Sequence, residues 1–99
     1  MINKTKKQLI SNIRSKIDHV DKKILPLMIK RFKLVEQALS LKTKRSEIID
    51  RKRINDVLKR IKNLSKRYKV NSLTVERIWK LMIQNFIILE NKLFKKAKK

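Results

Sequence analysis

The residue types that are absent or rare in this chain limit the structures it can form. It contains no cysteine, which excludes disulfides and thiolate metal sites. It contains no glycine, which excludes a glycine-rich phosphate-binding loop. Its single proline, Pro26, leaves it without the turn residues that hairpins and tight sheets require. These absences predict an all-α protein, and 99 residues suit one domain, 1–99.

Long hydrophobic runs are absent as well. The longest apolar stretches, near 24–29 and 86–89, are far shorter than a membrane-spanning helix needs to be. No signal-peptide pattern is visible. We therefore expect a soluble cytoplasmic protein with no membrane partner.

The chain has an excess of charge of one sign, with a formal net charge of +21. Such a charge is typical of nucleic-acid binders. However, the basic residues are spread over the whole length, and none of the five aromatic residues (one Trp, one Tyr, three Phe) alternates with them as a stacking platform. The Lys-, Ile- and Asn-rich composition is also typical of AT-rich coding. A basic helical nucleic-acid-binding dimer therefore stays as the alternative from another functional class.

Apolar residues at three- and four-residue spacings predict three helices. The predicted helices cover 7–41, 50–69 and 73–95, joined by connections at 43–49 and 70–72, with frayed basic tails at 1–6 and 95–99. Thr5 and Gln8 have the spacing of a capping box, Asp50 suits the N-cap of the second helix, and Ser72 opens the third. We expect the first helix to continue through Pro26, because the apolar period survives on both sides of it.

The apolar residues of each predicted helix form a stripe on one face. The stripe of the second helix comprises Ile54, Val57, Leu58, Ile61, Leu64 and Tyr68, and that of the third comprises Ile78, Leu81, Met82, Phe86, Leu89 and Leu93. The first helix would be about 50 Å long, which exceeds the diameter of a compact domain of this size. Much of it must pack on another chain, so the sequence predicts an intertwined homodimer.

Conventional catalytic groups are missing. His19 is the only histidine, so a histidine metal cluster is excluded, and the few carboxylates are scattered rather than paired. We expect no metal and no cofactor.

Basic residues beside the apolar seam of the first helix are the first candidate site residues. Arg31 and Lys42 are eleven residues apart, nearly three helical turns, so they share a face and can converge on one ligand. Arg14 lies about 25 Å from Arg31 along the axis, too far for the same pocket within one chain. In a dimer of antiparallel long helices it would enter the partner's pocket. The alternative for each is that its charged end reaches solvent.

Glu90 is the fourth candidate, because it lies on the apolar side of the third helix near Phe86 and Leu93. Its functional interpretation is a protonated acid that donates a hydrogen bond, and its alternative is an ion pair with a lysine. Together the four residues describe a pocket for a small dicarboxylate, since arginines bind carboxylates in bidentate fashion. A lysine and an acid can also meet an oxygen that gains charge in a transition state.

These residues match a known pattern. The matching features are I-R-x-x-I-D-x-x-D-x-x-I at 13–24, the Arg31-to-Lys42 spacing, Asp50-Arg51-Lys52-Arg53 followed by Val57-Leu58, and Glu90 where Gln or Glu is usual. In these features the chain resembles the all-helical (type II) chorismate mutase family over about 8–94. The resemblance implies a dimer of three-helix chains that rearranges chorismate to prephenate in aromatic amino acid biosynthesis, by a pericyclic step that needs no cofactor.

The resemblance also implies a role for each site residue. Each of two active sites would combine Arg31, Lys42, Arg53 and Glu90 of one chain with Arg14 of the other. The two arginines of the first helix would clamp the substrate carboxylates, while Lys42 and Glu90 would contact the ether oxygen. Arg51 or Arg53 would add positive charge near the ring of the substrate.

Two features depart from the mutase pattern. Lys52 stands where family members usually have a Glu that meets the ring hydroxyl. The connection from Lys42 to Asp50 is shorter than in many mutases and similar to that of isochorismate-pyruvate lyases, which form salicylate and pyruvate. Phe86 is similar to an aromatic residue of those lyases, but they carry Gln where Glu90 stands. We therefore favour a mutase and keep the lyase as the alternative.

Overall fold

Within the described residues, the chain forms three α-helices and one short 3-10 helix. The computed structural model describes residues 5–97, with side chains through residue 94. The elements are α1 (Lys6–Ser40), the 3-10 helix (Arg45–Glu47), α2 (Arg51–Arg67) and α3 (Ser72–Ala97). The all-α prediction is confirmed, and no strand is present within 5–97. The chain divides into two compact units, residues 1–34 and 35–99.

The start of α1 follows its predicted signals. The Thr5 amide donates to the Gln8 side-chain oxygen at 2.8 Å, and the Gln8 amide donates to the Thr5 hydroxyl at 3.2 Å. This reciprocal capping box is confirmed. The helix also continues through Pro26 as expected.

The predicted tails are partly wrong. Lys6 is already the first helical residue, and residues 95–97 belong to α3. The rest of both predicted tails, 1–4 and 98–99, lies outside the described residues.

In the first unit, the apolar residues of α1 are exposed apart from Met28, which is half-buried. Ile13 and Ile24 have 56% and 48% of their surface exposed to solvent, and the exposed fractions of Ile17 and Val20 between them are similar. Their spacing places them on one face of the helix. No helix within 5–97 is long and apolar enough to cross a membrane.

The second unit contains a small apolar core at the far end of α3. Leu39 from the end of α1, Ile48 from the connection and Phe94 from α3 are buried together, with Ile87 and Leu93 packed against them. The connection between α1 and α2 is therefore anchored on α3 at both of its ends.

Elsewhere in the second unit, α2 packs on α3. The first four members of the predicted α2 stripe, Ile54 to Ile61, are half-buried. Ser65 is buried in the same register, where its hydroxyl donates to the Ile61 carbonyl at 2.7 Å. Tyr68 is 78% exposed, because it follows the last helical residue and leaves the helical phase, and Leu64 is exposed as well.

The inner face of α3 differs from the predicted stripe. Trp79, Met82 and Ile83 are half-buried and Phe86 is buried, whereas Ile78 and Leu81 are exposed. The two exposed residues lie on a different side of the helix from the one that meets α2, which explains the difference.

The turn between α2 and α3 lies slightly earlier than predicted, because α2 ends at Arg67. Lys69 adopts a left-handed conformation with φ 56°, and the Val70 amide donates back to the Ser65 carbonyl at 3.5 Å. Asn71 then caps α3, since its side-chain oxygen accepts from the Thr74 amide at 3.0 Å. Ser72 is the first helical residue rather than the cap.

Candidate active site

Lys42 lies just beyond the end of α1. The amides of Leu41 and Lys42 donate to the carbonyls three residues earlier, Ala38 and Leu39, at 3.2 and 3.0 Å. Such bonds tighten the last turn and end the helix. Lys42 therefore lies just outside the helix, and its placement on the same face as Arg31 stays a prediction.

Lys42 and Glu90 form an ion pair in the second unit. The Nζ of Lys42 donates to Oε2 of Glu90 at 3.1 Å. Glu90 is only 8% exposed, while the Lys42 side chain is partly open to solvent. This contact is the lysine pair of the alternative interpretation of Glu90; a proton on Glu90 beside a substrate stays a prediction.

The burial of Glu90 gives the pair its importance. A buried carboxylate needs a partner, because the interior does not solvate it as water does. Removing one member of such a pair leaves the other buried and uncompensated. Lys42 therefore has a fixed partner, and its ammonium group retains two further N–H donors.

The segment after Lys42 is folded around Glu47. One carboxylate oxygen of Glu47 accepts from the Thr43 hydroxyl at 3.0 Å, the Lys44 amide at 3.0 Å and the Thr43 amide at 3.3 Å. The hydrogen bond from the Thr43 hydroxyl, followed by that from the Lys44 amide, lowers the pKa of Glu47 below its usual 4.5. The segment is thus held in one conformation by hydrogen bonds to a single side chain.

Arg45 joins this segment to α3. Its Nη1 donates to the Asn91 side-chain oxygen at 2.9 Å and to the Asn91 carbonyl at 3.5 Å. Its guanidinium carbon lies 5.3 Å from the centre of the Phe94 ring, which is within cation–π range. Sequence reasoning missed Arg45, Glu47 and Asn91. The Lys44-x-x-Glu47 spacing indicates a local cap, but the contact of Arg45 with Asn91 has no local sequence signal.

The start of α2 carries three basic side chains. Asp50 is the N-cap, as predicted, because its carboxylate accepts from the Arg53 amide at 3.0 Å. Arg51, Lys52 and Arg53 follow in the first turn and are exposed. Positive side chains at the positive end of a helix dipole destabilise the helix, whereas a bound anion there would be favourable.

The remaining predicted site residues lie on α1 and α3. Arg14 is exposed and Arg31 is half-buried, both on α1 in the first unit. Phe86 is buried on α3, one turn before Glu90. Among the predicted site residues, Lys42 and Glu90 are in contact within the second unit. Within the described part of the chain, no group of three or more His, Asp or Glu residues is placed to hold a metal ion.

Comparison with known proteins supplies the family. A sequence model described as chorismate mutase type II matches residues 13–91, well over half of the chain. The chain is also similar to a protein of Buchnera aphidicola subsp. Schizaphis graminum, described as bifunctional chorismate mutase/prephenate dehydratase, with 33% identity over 93 residues. That match covers 93% of this chain and 24% of the relative, so the chain spans about a quarter of the relative's length. The chain belongs to the chorismate mutase type II family.

Proposed function

We propose that this protein catalyses the rearrangement of chorismate to prephenate, the mutase reaction of aromatic amino acid biosynthesis. The observation that carries the proposal is the Lys42–Glu90 pair, with 3.1 Å between Nζ and Oε2. The family resemblance assigns these two positions to the ether oxygen of the substrate. Membership of the family supports the same activity.

The reaction needs positioning and charge stabilisation rather than a nucleophile. In the rearrangement, the carbon–oxygen bond of the enol ether breaks while a carbon–carbon bond forms, so no atom is gained or lost. The ether oxygen gains negative charge as its bond to carbon breaks. Groups that hold the reactive conformer and donate hydrogen bonds to this oxygen lower the barrier.

Lys42 and Glu90 are suited to that oxygen. One N–H of the Lys42 ammonium group is directed to Oε2 of Glu90, which leaves two donors for the substrate. An ionised carboxylate only accepts hydrogen bonds, so Glu90 needs a proton to donate one. We assign this proton to Oε1, because Oε2 already accepts the hydrogen bond from Lys42. Protonated Glu90 would donate to the ether oxygen beside Lys42.

Arginines and the start of α2 are proposed to bind the two carboxylates and the ring end of the substrate. Arg31 of one chain and Arg14 of the partner chain would clamp the carboxylates. Arg51, Lys52 and Arg53 supply positive charge at the N-terminus of α2, where an anion is favoured. Lys52 would donate to the ring hydroxyl in place of the usual Glu.

A homodimer is part of the proposal. The exposed apolar face of α1, which includes Ile13, Ile17, Val20 and Ile24, supports it, because contiguous apolar surface of this kind is typical of an interface. Ile78 and Leu81 on α3 add exposed apolar surface. The dimer would bring the Arg14 of one chain to the site of the other. We propose a cytoplasmic location, where chorismate is a soluble metabolite.

The test is incubation of the purified protein with chorismate and, separately, with isochorismate. Loss of chorismate absorbance with formation of prephenate supports the mutase. Salicylate fluorescence and pyruvate from isochorismate, without prephenate from chorismate, would replace the mutase with the lyase. Lys42→Gln should abolish most turnover, and the exposed Lys59→Gln on α2 is the matched control for loss of one positive charge.

The nucleic-acid alternative is tested on the same preparation. It predicts tight, steeply salt-dependent binding to duplex DNA. Such binding without turnover of either substrate would overturn the proposed function.

A further inference from the structure

The position of Lys42 depends on the segment that connects α1 to α2. Leu39 and Ile48, on either side of it in the sequence, are both buried in the core cluster with Phe94 of α3. Between them, the amides of Leu41 and Lys42 are still bonded to the end of α1, at 3.2 Å to the Ala38 carbonyl and 3.0 Å to the Leu39 carbonyl. The two ends of the segment are therefore fixed on α3, and its middle must be held by something else.

Arg45 holds that middle part on α3. Its guanidinium lies over the Phe94 ring and donates to both oxygens of Asn91. Asn91 is the residue directly after Glu90, so the same turn of α3 carries the partner of Arg45 and the partner of Lys42. The Asn91 side-chain amide also donates to the Ile87 carbonyl at 3.0 Å, which turns its oxygen toward Arg45.

Within the segment, hydrogen bonds to Glu47 connect the anchored 3-10 turn to the backbone next to Lys42. The Glu47 carboxylate accepts from the amides of Thr43 and Lys44, the two residues that follow Lys42. Arg45 and Glu47 are the two ends of the one 3-10 turn. A shift of Arg45 would thus also move the backbone next to Lys42 and change the position of its side chain.

We propose that Arg45 is a positioning residue for the reaction: through Asn91 and the Phe94 ring it fixes the segment 42–47 on α3, so that the ammonium group of Lys42 stays beside Glu90. The inference rests on the proposed function, in which Lys42 contacts the ether oxygen. A displacement of about 1 Å of a catalytic group lowers a rate by up to about 100-fold. An exposed charged contact contributes little to global stability. Loss of Arg45 should therefore reduce turnover far more than it reduces stability.

The experiment compares Arg45→Gln with Arg60→Gln, an exposed arginine of α2 that loses the same charge. We expect kcat for chorismate to fall about 10-fold in Arg45→Gln while KM changes by less than about 2-fold, and Tm to stay close to that of Arg60→Gln. Arg45→Lys, which keeps the charge but not the planar fork, should recover part of kcat. A kcat equal to that of Arg60→Gln, or a loss of kcat that only follows a loss of Tm, overturns the proposal.

A double-variant cycle tests the route through Asn91. If Arg45 acts through Asn91, then Arg45→Gln combined with Asn91→Ala should be no slower than the slower single variant. Losses of kcat that multiply in the double variant would show independent effects and would overturn this route.

A second readout does not need activity. The readout is the chemical shift of the Glu90 side-chain carboxyl carbon in the NMR spectrum. Lys42→Gln removes the ion pair of Glu90, so the change in chemical shift that it causes is the reference for complete loss of the pair. Arg45→Gln should move that signal in the same direction by at least half as much, and Arg60→Gln should leave it in place. If the wild-type protein turns over no chorismate, the proposed function fails, but this spectrum still decides the positioning role. An unmoved Glu90 signal in Arg45→Gln overturns it.

Discussion

Lys42 and Glu90 are 48 residues apart in the chain, yet the ammonium nitrogen of one lies 3.1 Å from a carboxylate oxygen of the other. The contact joins the segment after α1 to the middle of the second half of α3. Neither residue is positioned by its own element alone, because Glu90 needs Lys42 as its partner and Lys42 needs the folded connection.

Glu90→Gln tests the proton assigned to Glu90. If the reaction needs a hydrogen-bond donor at this position, Glu90 can serve only while its carboxyl group carries a proton. The amide of Gln donates at every pH, so the variant should show a flatter pH profile of kcat/KM. The measurement is initial-rate kinetics with chorismate from mildly acidic to alkaline pH. Superimposable profiles for the two proteins would remove the donor role.

Arg14→Ala and Arg31→Ala test whether the site is shared between chains. Each variant alone should be nearly inactive, because each lacks one carboxylate clamp. After subunit exchange of an equal mixture, half of the dimers contain both chains, and each has one intact site. The mixture should therefore recover about a quarter of the wild-type activity. A mixture that stays as inactive as its components would mean that Arg14 does not act in the partner's site.

Ile17→Gln tests the apolar face of α1 as a dimer interface. Ile17 is half-exposed in the single chain, and a polar side chain there would weaken a contact between two copies. We expect the variant to dissociate at a protein concentration at least 10-fold higher than the wild type does, measured by sedimentation equilibrium. Lys16→Gln, on the neighbouring exposed position, is the control and should leave the mass unchanged. An unaltered dissociation of Ile17→Gln would place the interface elsewhere.

Glu47 should make the stability of the protein depend on acid pH. The fold lowers the pKa of Glu47 below 4.5, so the ionised form is favoured in the folded state. Its contribution to the free energy of unfolding is present above pH 4.5 and is lost as the pH falls through the lowered value. Glu47→Gln should therefore lower the free energy of unfolding more at pH 7 than at pH 3, as measured by urea titration. Glu36→Gln on α1 serves as the control, and an equal loss for Glu47→Gln at both pH values would contradict the assignment.

Lys69→Gly should stabilise the protein. Lys69 has φ 56°, a conformation that is costly for a residue with a Cβ and free of that cost for glycine. We expect a gain of about 0.5–1 kcal/mol in the free energy of unfolding, reduced slightly by the greater freedom of glycine in the unfolded chain. Lys62→Gly, inside α2, should instead destabilise the protein by about 1 kcal/mol. If both variants lost the same free energy of unfolding, the left-handed conformation of Lys69 would not be a source of strain.

Local signals in the sequence predicted the helices well. The Thr5–Gln8 capping box, the Asp50 cap and the continuation through Pro26 are all confirmed, because each depends on residues within a few positions of one another. The end of α1 was predicted to within one residue, at 41 rather than Ser40. Lys42 continues the apolar and basic period of the helix, yet the last amides bond to carbonyls three residues back and the helix ends at Ser40.

The contacts of the candidate site are less visible in the sequence. Glu90 stands out as a carboxylate among apolar residues, so its burial follows from helical periodicity. Arg45 has no such mark, because it is one of many basic residues in a chain of net charge +21. Its contact with Asn91 exists only after the connection has folded onto α3, and no spacing along the chain encodes that distance.

Because α1 ends before Lys42, length changes within α1 and length changes in the connection after it have different effects. An insertion within α1 would rotate every later residue by about 100° and disturb the whole apolar face of that helix. An insertion or deletion between 43 and 47 would leave that face unchanged and would displace the connection that positions the ammonium group of Lys42. Variation in the length of this connection is therefore a route by which the chain could acquire a different substrate preference while its oligomeric contacts stay the same.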